Sequence, residues 1–265
     1  MLRAVLALLL LSVSAAAWPQ AYPARAVRIV VPFATGGPAD IYARFLGAKL
    51  QEALGQPFVI EDRPGGGSIV GTDVVAKSPP DGYTLLMMSN THTVNETLIP
   101  KKPFDLMRDL APISGVNYSD LLMVIHPSVP ASSLKELIEL AKSKPGALNY
   151  ASSGPGTPKV HALGTTGNRR SPVMPETPTI AEAGVPGYEA TIWLGLMAPA
   201  GTPRPILEKL NVEVNKVVNA PEVKEAWAKQ GAAPMAMTLE QFDRFLREDI
   251  VKWAKVVQIS GAKVD

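Results

Sequence analysis

Cysteine is absent. No disulfide framework and no thiol chemistry are therefore available, and an exported chain of this length needs neither if its core is large enough. Histidine is scarce. His92, His126 and His161 are spaced 34 and 35 residues apart, which is not the spacing of a metal site. Charge of either sign is not in excess either, with 26 Lys and Arg against 24 Asp and Glu, so neither a polyanion nor an anionic membrane is implied as a partner. Three catalytic or nucleotide signatures are missing. There is no P-loop G-K-[ST], the glycines of Arg63–Gly71 (RPGGGSIVG) miss the dinucleotide fingerprint by one residue, and Gly66-Gly67-Ser68-Ile69 continues into Val70 instead of closing a G-x-S-x-G elbow. No internal repeat is visible, and beyond the first 21 residues no run approaches the roughly 20 apolar residues of a membrane helix.

The first segment has the pattern of an export signal. Met1 and Arg3 make a weakly basic start, Ala4–Val13 is apolar but too short to span a bilayer, and small residues follow at Ser14–Ala17. Cleavage is expected after Ala17 or Ala21. About 244 residues remain after Ala21, with a net charge of +1 once Arg3 is gone, enough for one large domain or two small ones.

Arg28–Leu54 (RIVVPFATGGPADIYARFLGAKLQEAL) is a complete strand, loop and helix. Arg28–Phe33 reads as a buried strand of a parallel sheet. Tyr42, Leu46, Leu50 and Leu54 recur every four residues and form the helix face that covers it. Gly37 is expected as N-cap, Pro38 at the first helical position and Asp40 in the first turn. The loop Thr35-Gly36-Gly37 then ends on the positive end of a helix dipole, a place suited to a carboxylate or phosphate without a neighbouring cation. The alternative is an ordinary βα turn.

Further strands are predicted over Pro57–Asp62 and Tyr83–Ser89, with a helix over Ile69–Lys77 between them and the loop Asn90-Thr91-His92 after them. Three strands that each end in a polar or glycine loop put those loops on the carboxyl edge of an open α/β sheet, where ligands sit. Leu110–Ser114 and Asp120–His126 are predicted strands, and Ser133–Ser143 a helix capped by Ser132 or Ser133. Leu148–Ser152 is expected to be a strand running into Ser153-Gly154-Pro155-Gly156-Thr157-Pro158, a second candidate anion loop if a helix begins near Pro158. Asn168–Pro178 is an irregular connection and Ile180–Ala183 a short helix. A strand over Thr191–Ala198 and helices over Pro203–Asn219, Glu222–Gln230 and Leu239–Ser260 complete a two-lobed α/β pattern.

The segments VPFATGGPAD (Val31–Asp40), EDRPGGGSIVG (Glu61–Gly71), AKSPPDGYTLL (Ala76–Leu86), HPSVPASSLKELIELAKSKPGALNYASSGPGTP (His126–Pro158) and PTIAEAGVPGYEA (Pro178–Ala190) together resemble the Bug-type receptors of tripartite tricarboxylate transporters. The resemblance runs from about Tyr22 to Asp265. It implies a type II-like periplasmic binding protein, with residues 22–114 plus 199–265 as lobe 1 and 115–198 as lobe 2, preceded by the signal over residues 1–21. It further implies a monomer that is not an enzyme, needs no cofactor or metal and binds no nucleic acid. Such a receptor closes on a small carboxylate, such as a di- or tricarboxylate or an acidic amino acid, and serves the transporter's membrane components or a sensor protein. Carried onto this chain, the ligand-binding positions are Thr35, Gly36, Gly37, Asp40, Gly66, Ser68, Ser89 and His92 from lobe 1. From lobe 2 they are Ser152, Ser153, Gly154, Gly156 and Thr157.

Two departures from the family pattern stand out. Pro38 removes one backbone N–H from the first loop. After His161-Ala162-Leu163-Gly164 the chain jumps to Thr165–Pro172, where the family continues through further helices and strands, so on the order of 30–50 residues are absent at average element lengths. The second lobe is thus expected to be truncated, with Leu121–Ile125 and Leu148–Tyr150 stripped of cover. Two other readings remain open: a ligand-independent sensor or partner-binding remnant, and a small-molecule serine hydrolase.

Overall fold

Strand β1 (Val27–Val31) pairs in parallel with β2 (Phe58–Asp62) on one side and β3 (Thr84–Ser89) on the other. The computed structural model describes residues 22–148 and 161–264. Helix α1 (Pro38–Leu54) joins β1 to β2, with Gly37 as N-cap, Pro38 inside the first turn and Gly55 closing the end in the left-handed region. Helix α2 (Ile69–Ala76) joins β2 to β3. Because β1 has a neighbour on each side and a layer of helices on each face, its residues other than Arg28 are apolar without alternation, and Val27, Ile29, Val30 and Val31 are fully buried.

β3 then runs straight into helix α3 (Asn90–Leu98), so Asn90-Thr91-His92, expected as a loop, is a first helical turn. Short helix α4 (Leu106–Asp109) leads to β4 (Leu110–Asp120), a single strand of 11 residues where the sequence suggested a break after Ser114. The correction has a cause in the sequence. Gly115 and Asn117 are poor strand formers, and the ladder shifts register between them as a bulge would, so local propensity falls although the pairing continues. β7 (Thr191–Pro199) lies between β3 and β4, antiparallel to both, and β8 (Ala232–Pro234) closes the sheet. The order is β2-β1-β3-β7-β4-β8.

Pleating sends alternate residues to two cores. Val27, Ile29, Leu85, Met87, Ile113 and Leu196 meet α1 and the helices α6 (Arg204–Asn219) and α7 (Pro221–Ala228). Val30, Leu86, Met88, Trp193 and Met197 meet α2, α4 and the last helix α8 (Leu239–Ser260). Gly195 and Gly115 are partners across β4 and β7. A side chain on Gly195 would strike the ring of Phe242, which is fully buried on α8, so the glycine lets that helix lie on the sheet.

Outside this sheet, β5 (Leu122–Ile125) pairs antiparallel with β6 (His161–Thr165), and α5 (Leu134–Ser143) is capped by the Ser133 hydroxyl. A helix beginning near Pro158 does not extend into this region, because His161–Thr165 is extended and its backbone is used by β5. Ile180–Ala183 is a hydrogen-bonded turn, not a helix, with the Thr165 N–H donating to the Pro178 carbonyl and the Ile180 N–H to the Thr165 carbonyl. Leu121, Leu122, Met123 and Val124 are each 38–43 % exposed. A half-buried strand would alternate; here neither face is well covered, as expected of a sheet that has lost its neighbours, and only Ile125 is buried. Each such side chain forgoes a part of the roughly 1.5–3 kcal/mol that full burial contributes.

Two outcomes follow from this packing. Gly195→Ala should lower unfolding free energy in urea by about 1–3 kcal/mol through overpacking, and an unchanged midpoint would show that Phe242 does not need the glycine. Hydrogen exchange should release the amides of β5 and β6 before those of β1, β3 and β7; equal protection would contradict the subordinate standing of the small sheet.

Candidate functional site

The direction of the strands decides where the site can be. β1, β2 and β3 end at one edge of the sheet, β4 ends there at Asp120, and β7 begins there at Thr191, since Asp120 pairs with Thr191 and Ser89 with Leu194. The loops at 32–37 and 63–68, and the start of α3, therefore share that edge. Thr35, Gly36, Gly37, Asp40, Gly66, Ser68, Ser89 and His92 all belong to it. Ser152, Ser153, Gly154, Gly156 and Thr157, and most of the strand expected over Leu148–Ser152, lie outside the described residues.

The first loop is wired internally. The Gly36 N–H donates to Asp40 Oδ2 at 2.8 Å and the Gly37 N–H to the Ala34 carbonyl at 3.2 Å. Arg44, one turn along α1, places Nε 2.6 Å from Asp40 Oδ1 and Nη2 2.9 Å from Asp62 Oδ2, and Asp62 Oδ2 also accepts from the Thr35 hydroxyl at 2.8 Å. The sequence reading had assumed outward-facing amides with no cation nearby. Both glycine amides have partners inside the chain, and a guanidinium stands beside the loop, clamping β2 to α1.

The second loop is strained and under-satisfied. Gly65, Gly66, Gly67 and Ser68 have φ of 134°, 55°, 61° and 80° in succession. Ser68 is the only residue other than glycine with positive φ among the described residues, and its hydroxyl is buried without a partner among them. Asn95 Nδ2 holds the Gly67 carbonyl at 2.7 Å and the Thr72 hydroxyl donates to the Ser68 carbonyl at 2.8 Å.

Ser89 and His92 are drawn into the architecture. Ser89 caps α3, its hydroxyl accepting from the Thr91 N–H at 3.2 Å. His92 is 2 % exposed, with Nε2 2.9 Å from Thr72 Oγ1 and Nδ1 accepting from the Ser89 N–H at 3.2 Å. Nδ1 also lies 3.1 Å from the Ser89 carbonyl, and the Thr72 hydroxyl reaches the Ser68 carbonyl, so the ring, neutral in either tautomer, bridges Thr72 and the start of α3. Burial lowers the His92 pKa to about 4. A neutral imidazole so placed is a brace between two loops and a weak base near neutral pH.

The sequence passed over a neighbouring cluster. A groove of about 300 Å³ lies against the first turn of α1, and Tyr42, Asn117, Ser119 and Gln230 supply its polar groups. Tyr42 does belong to the core stripe, as its spacing predicts, and also lines this groove, whereas Asn117 falls in the gap expected between two strands. Alternation along β4 would have found Asn117 had the strand been read as continuous. Among the described residues no group of three or more His, Cys, Asp or Glu side chains is placed to hold a metal, and no helix is long and apolar enough to cross a membrane.

A family profile described as tripartite tricarboxylate transporter family receptor matches residues 42–160 and 157–262. The chain belongs to that receptor family. Among relatives of this family, BugT of Bordetella pertussis is 35% identical over 298 aligned positions, covering 92% of this chain and 91% of its own. The structure of Rpa4515 of R. palustris with adipate superposes with a TM-score of 0.85 at 28% identity, covering 92% of this chain and all of the other. MatC from Rhodopseudomonas palustris with bound malate gives 0.80 at 28% identity, covering 89% of this chain and all of the other. The fold is thus the α/β binding-protein fold of these receptors, with a shortened second part. The BugT alignment spans 298 positions but uses 92% of 265 residues, about 244, so about 54 positions face a gap here. The two profile matches meet at 157–160, which moves the joint a few residues ahead of the place after Gly164 inferred from sequence.

The buried imidazole makes stability pH-dependent in a definite direction. His92 is depressed to about 4 from an ordinary value of 6.5, so the unfolded chain binds the extra proton first. Its contribution, at most about 3 kcal/mol, is complete above pH 6.5 and is lost as pH falls toward 4. His92→Gln should flatten the urea midpoint across that window. A slope that survives the substitution would assign the acid sensitivity elsewhere.

Proposed function

We propose that this chain is a periplasmic solute receptor that holds a small carboxylate at the carboxyl edge of the six-stranded sheet and serves a tripartite tricarboxylate transporter. The supporting observation is the convergence of the strained Gly65–Ser68 loop, the Thr35–Asp40 loop and the Asp120–Thr191 crossover at one edge, in a family with members solved with adipate and with malate. Ser68 Oγ has no hydrogen-bond partner among the described residues and is offered to the ligand as a donor. Thr35, Gly36, Gly37 and Asp40 contribute through rearrangement: an incoming carboxylate competes with Asp40 for the Gly36 N–H. Gly66 supplies backbone, while Ser89 and His92 act as braces. The far wall of the cleft is assigned to Ser152, Ser153, Gly154, Gly156 and Thr157.

The lobes divide, in this reading, where the chain leaves and re-enters the large sheet. The joints are then Asp120/Leu121 and Ala190/Thr191, inside the ranges of 115–198 drawn from sequence. Closure across these two crossings desolvates the ligand. Chemistry is not part of the proposal, since Ser89 Oγ is spent on a cap and the nearby His92 is a poor base. Cleavage of an export signal after Ala17 or Ala21 would deliver the mature chain.

One observation favours a second reading. The four exposed apolar residues Leu121–Val124 suit contact with a partner protein, as in a remnant that works without ligand.

A thermal-shift series over C4 to C6 dicarboxylates separates the two. At about 100 times Kd a true ligand adds roughly 2.7 kcal/mol of stability, or about 5–10 °C in Tm for a chain of this size. No shift with any di- or tricarboxylate or acidic amino acid would remove the receptor reading and leave the remnant.

A further inference from the structure

Asn117 is an oddity that the carboxylate reading leaves unused. The ladder between β4 and β7 slips between Gly115 and Asn117, so Val116 joins the core under α1 while Tyr118 packs on the α8 side. Asn117 is 2 % exposed, and its Oδ1 has no hydrogen-bond partner among the described residues. A buried acceptor without a donor is costly, and chains keep one chiefly where something else supplies the donor.

The place it occupies is a cavity, not a packing fault. The groove of about 300 Å³ begins at Pro38, the residue after Gly37, and is lined by Ile41, Tyr42, Asn117, Ser119 and Gln230. The Tyr42 hydroxyl lies beside the side chains of Ser119 and Asn117 and donates to Gln230 Oε1 in a long bond of 3.4 Å. With its hydroxyl turned to Gln230, Tyr42 does not satisfy Asn117 Oδ1. Asp120 adds a carboxylate at the rim. The acceptors of this groove without a partner of their own are thus the Asn117 oxygen and the rim carboxylate of Asp120, which suit a donor on the ligand, while Ile41, Ile192 and Leu194 give it apolar walls.

We propose that this groove is a subsite for a hydrogen-bond-donating substituent, a hydroxyl or an ammonium, on the chain of the bound carboxylate, and that Asn117 sets the preference for substituted over plain diacids. The inference rests on the receptor reading above, since it places the acid group at the adjoining loops. Bulge and groove explain one another: the register shift brings Asn117 to line the cavity, where its buried oxygen has no partner among the described residues.

Succinate, malate and aspartate share a four-carbon diacid skeleton and differ only at C2, so calorimetric titration of the three isolates the substituent. The wild-type chain should bind malate or aspartate about tenfold or more tightly than succinate, the worth of one buried hydrogen bond. Malate in front indicates a hydroxyl subsite, aspartate in front an ammonium held also by Asp120. Asn117→Leu should bring all three within about twofold of each other with succinate affinity little changed, and the empty variant should melt no lower than wild type. Asn117→Ser, too short to reach, should do the same and serves if the leucine variant does not fold. Equal affinity of the wild type for the three acids would mean that Asn117 holds a trapped water only, and would overturn the subsite while leaving the receptor standing. Equal loss of all three acids in the variants, or a lower melting point of both empty variants, would show Asn117 to be structural and also overturn it. Binding of none of the three, nor of any longer diacid, by the wild type would retire the receptor reading and the subsite together.

Discussion

Residues 121–190 leave and re-enter the large sheet at one pair of neighbours, Asp120 and Thr191, which face each other across β4 and β7. That pairing is made by the large sheet and does not consult what lies between. Seventy residues close this loop here, and about 124 would if the roughly 54 positions facing a gap against BugT were present. Loop-closure entropy changes with the logarithm of length, so the difference is only about 0.5 kcal/mol, and in favour of the shorter chain. The six-stranded sheet, its two cores and the edge that carries the loops are thereby insulated from the loss. The cost falls on the segment itself, in the uncovered Leu121–Val124 and in α5, of which only Leu134 is fully buried.

The same edge shows how a binding surface is kept ready without being left unsatisfied. Arg44 ties Asp40 and Asp62, Asp40 ties Gly36, and Thr35 ties Asp62, so the Gly36 N–H, the Thr35 hydroxyl and the Arg44 guanidinium are occupied when the cleft is empty. Ser68 Oγ and Asn117 Oδ1, among the buried atoms without a hydrogen-bond partner in the described residues, lie on a loop and a strand that the sheet brings to one edge. A ligand that offers an acid group to the first and a donor to the second would gain from both without breaking the Arg44 network.

Much of this was legible in the residues. The apolar run of β1, the four-residue stripe of α1 and the Gly37-Pro38 start are local signals, and each survived into the fold because burial and capping agreed with them. Where local and tertiary preferences conflicted, the sequence misled. Asn90-Thr91-His92 looks like a loop because its polar side chains are typical of turns, yet Ser89 caps it and the buried His92 finds Thr72, twenty residues earlier. Asn117 looked like a gap in a strand because asparagine and glycine weaken strands, whereas pairing to β7 carries the chain through. His161–Thr165 could be placed only with knowledge of β5, a non-local partner. The internal wiring of Gly36 was invisible for the same reason: no rule of spacing says whether a helix-start amide will meet solvent or its own Asp40.

The bracing behind the second loop gives these unsatisfied atoms their meaning. A positive φ at Ser68 is unfavourable for a residue with a side chain and persists where its surroundings over-determine it. Asn95 on the Gly67 carbonyl and the relay from His92 through Thr72 to the Ser68 carbonyl supply that determination from α2 and α3. The relay is neutral and buried, so it holds the loop without placing a charge beside an anion site. A hydroxyl held in a strained conformation by neighbours that spend their own hydrogen bonds on it, yet left without a partner, is a preorganised donor: its ordering cost is met in folding and is not charged again when a carboxylate arrives.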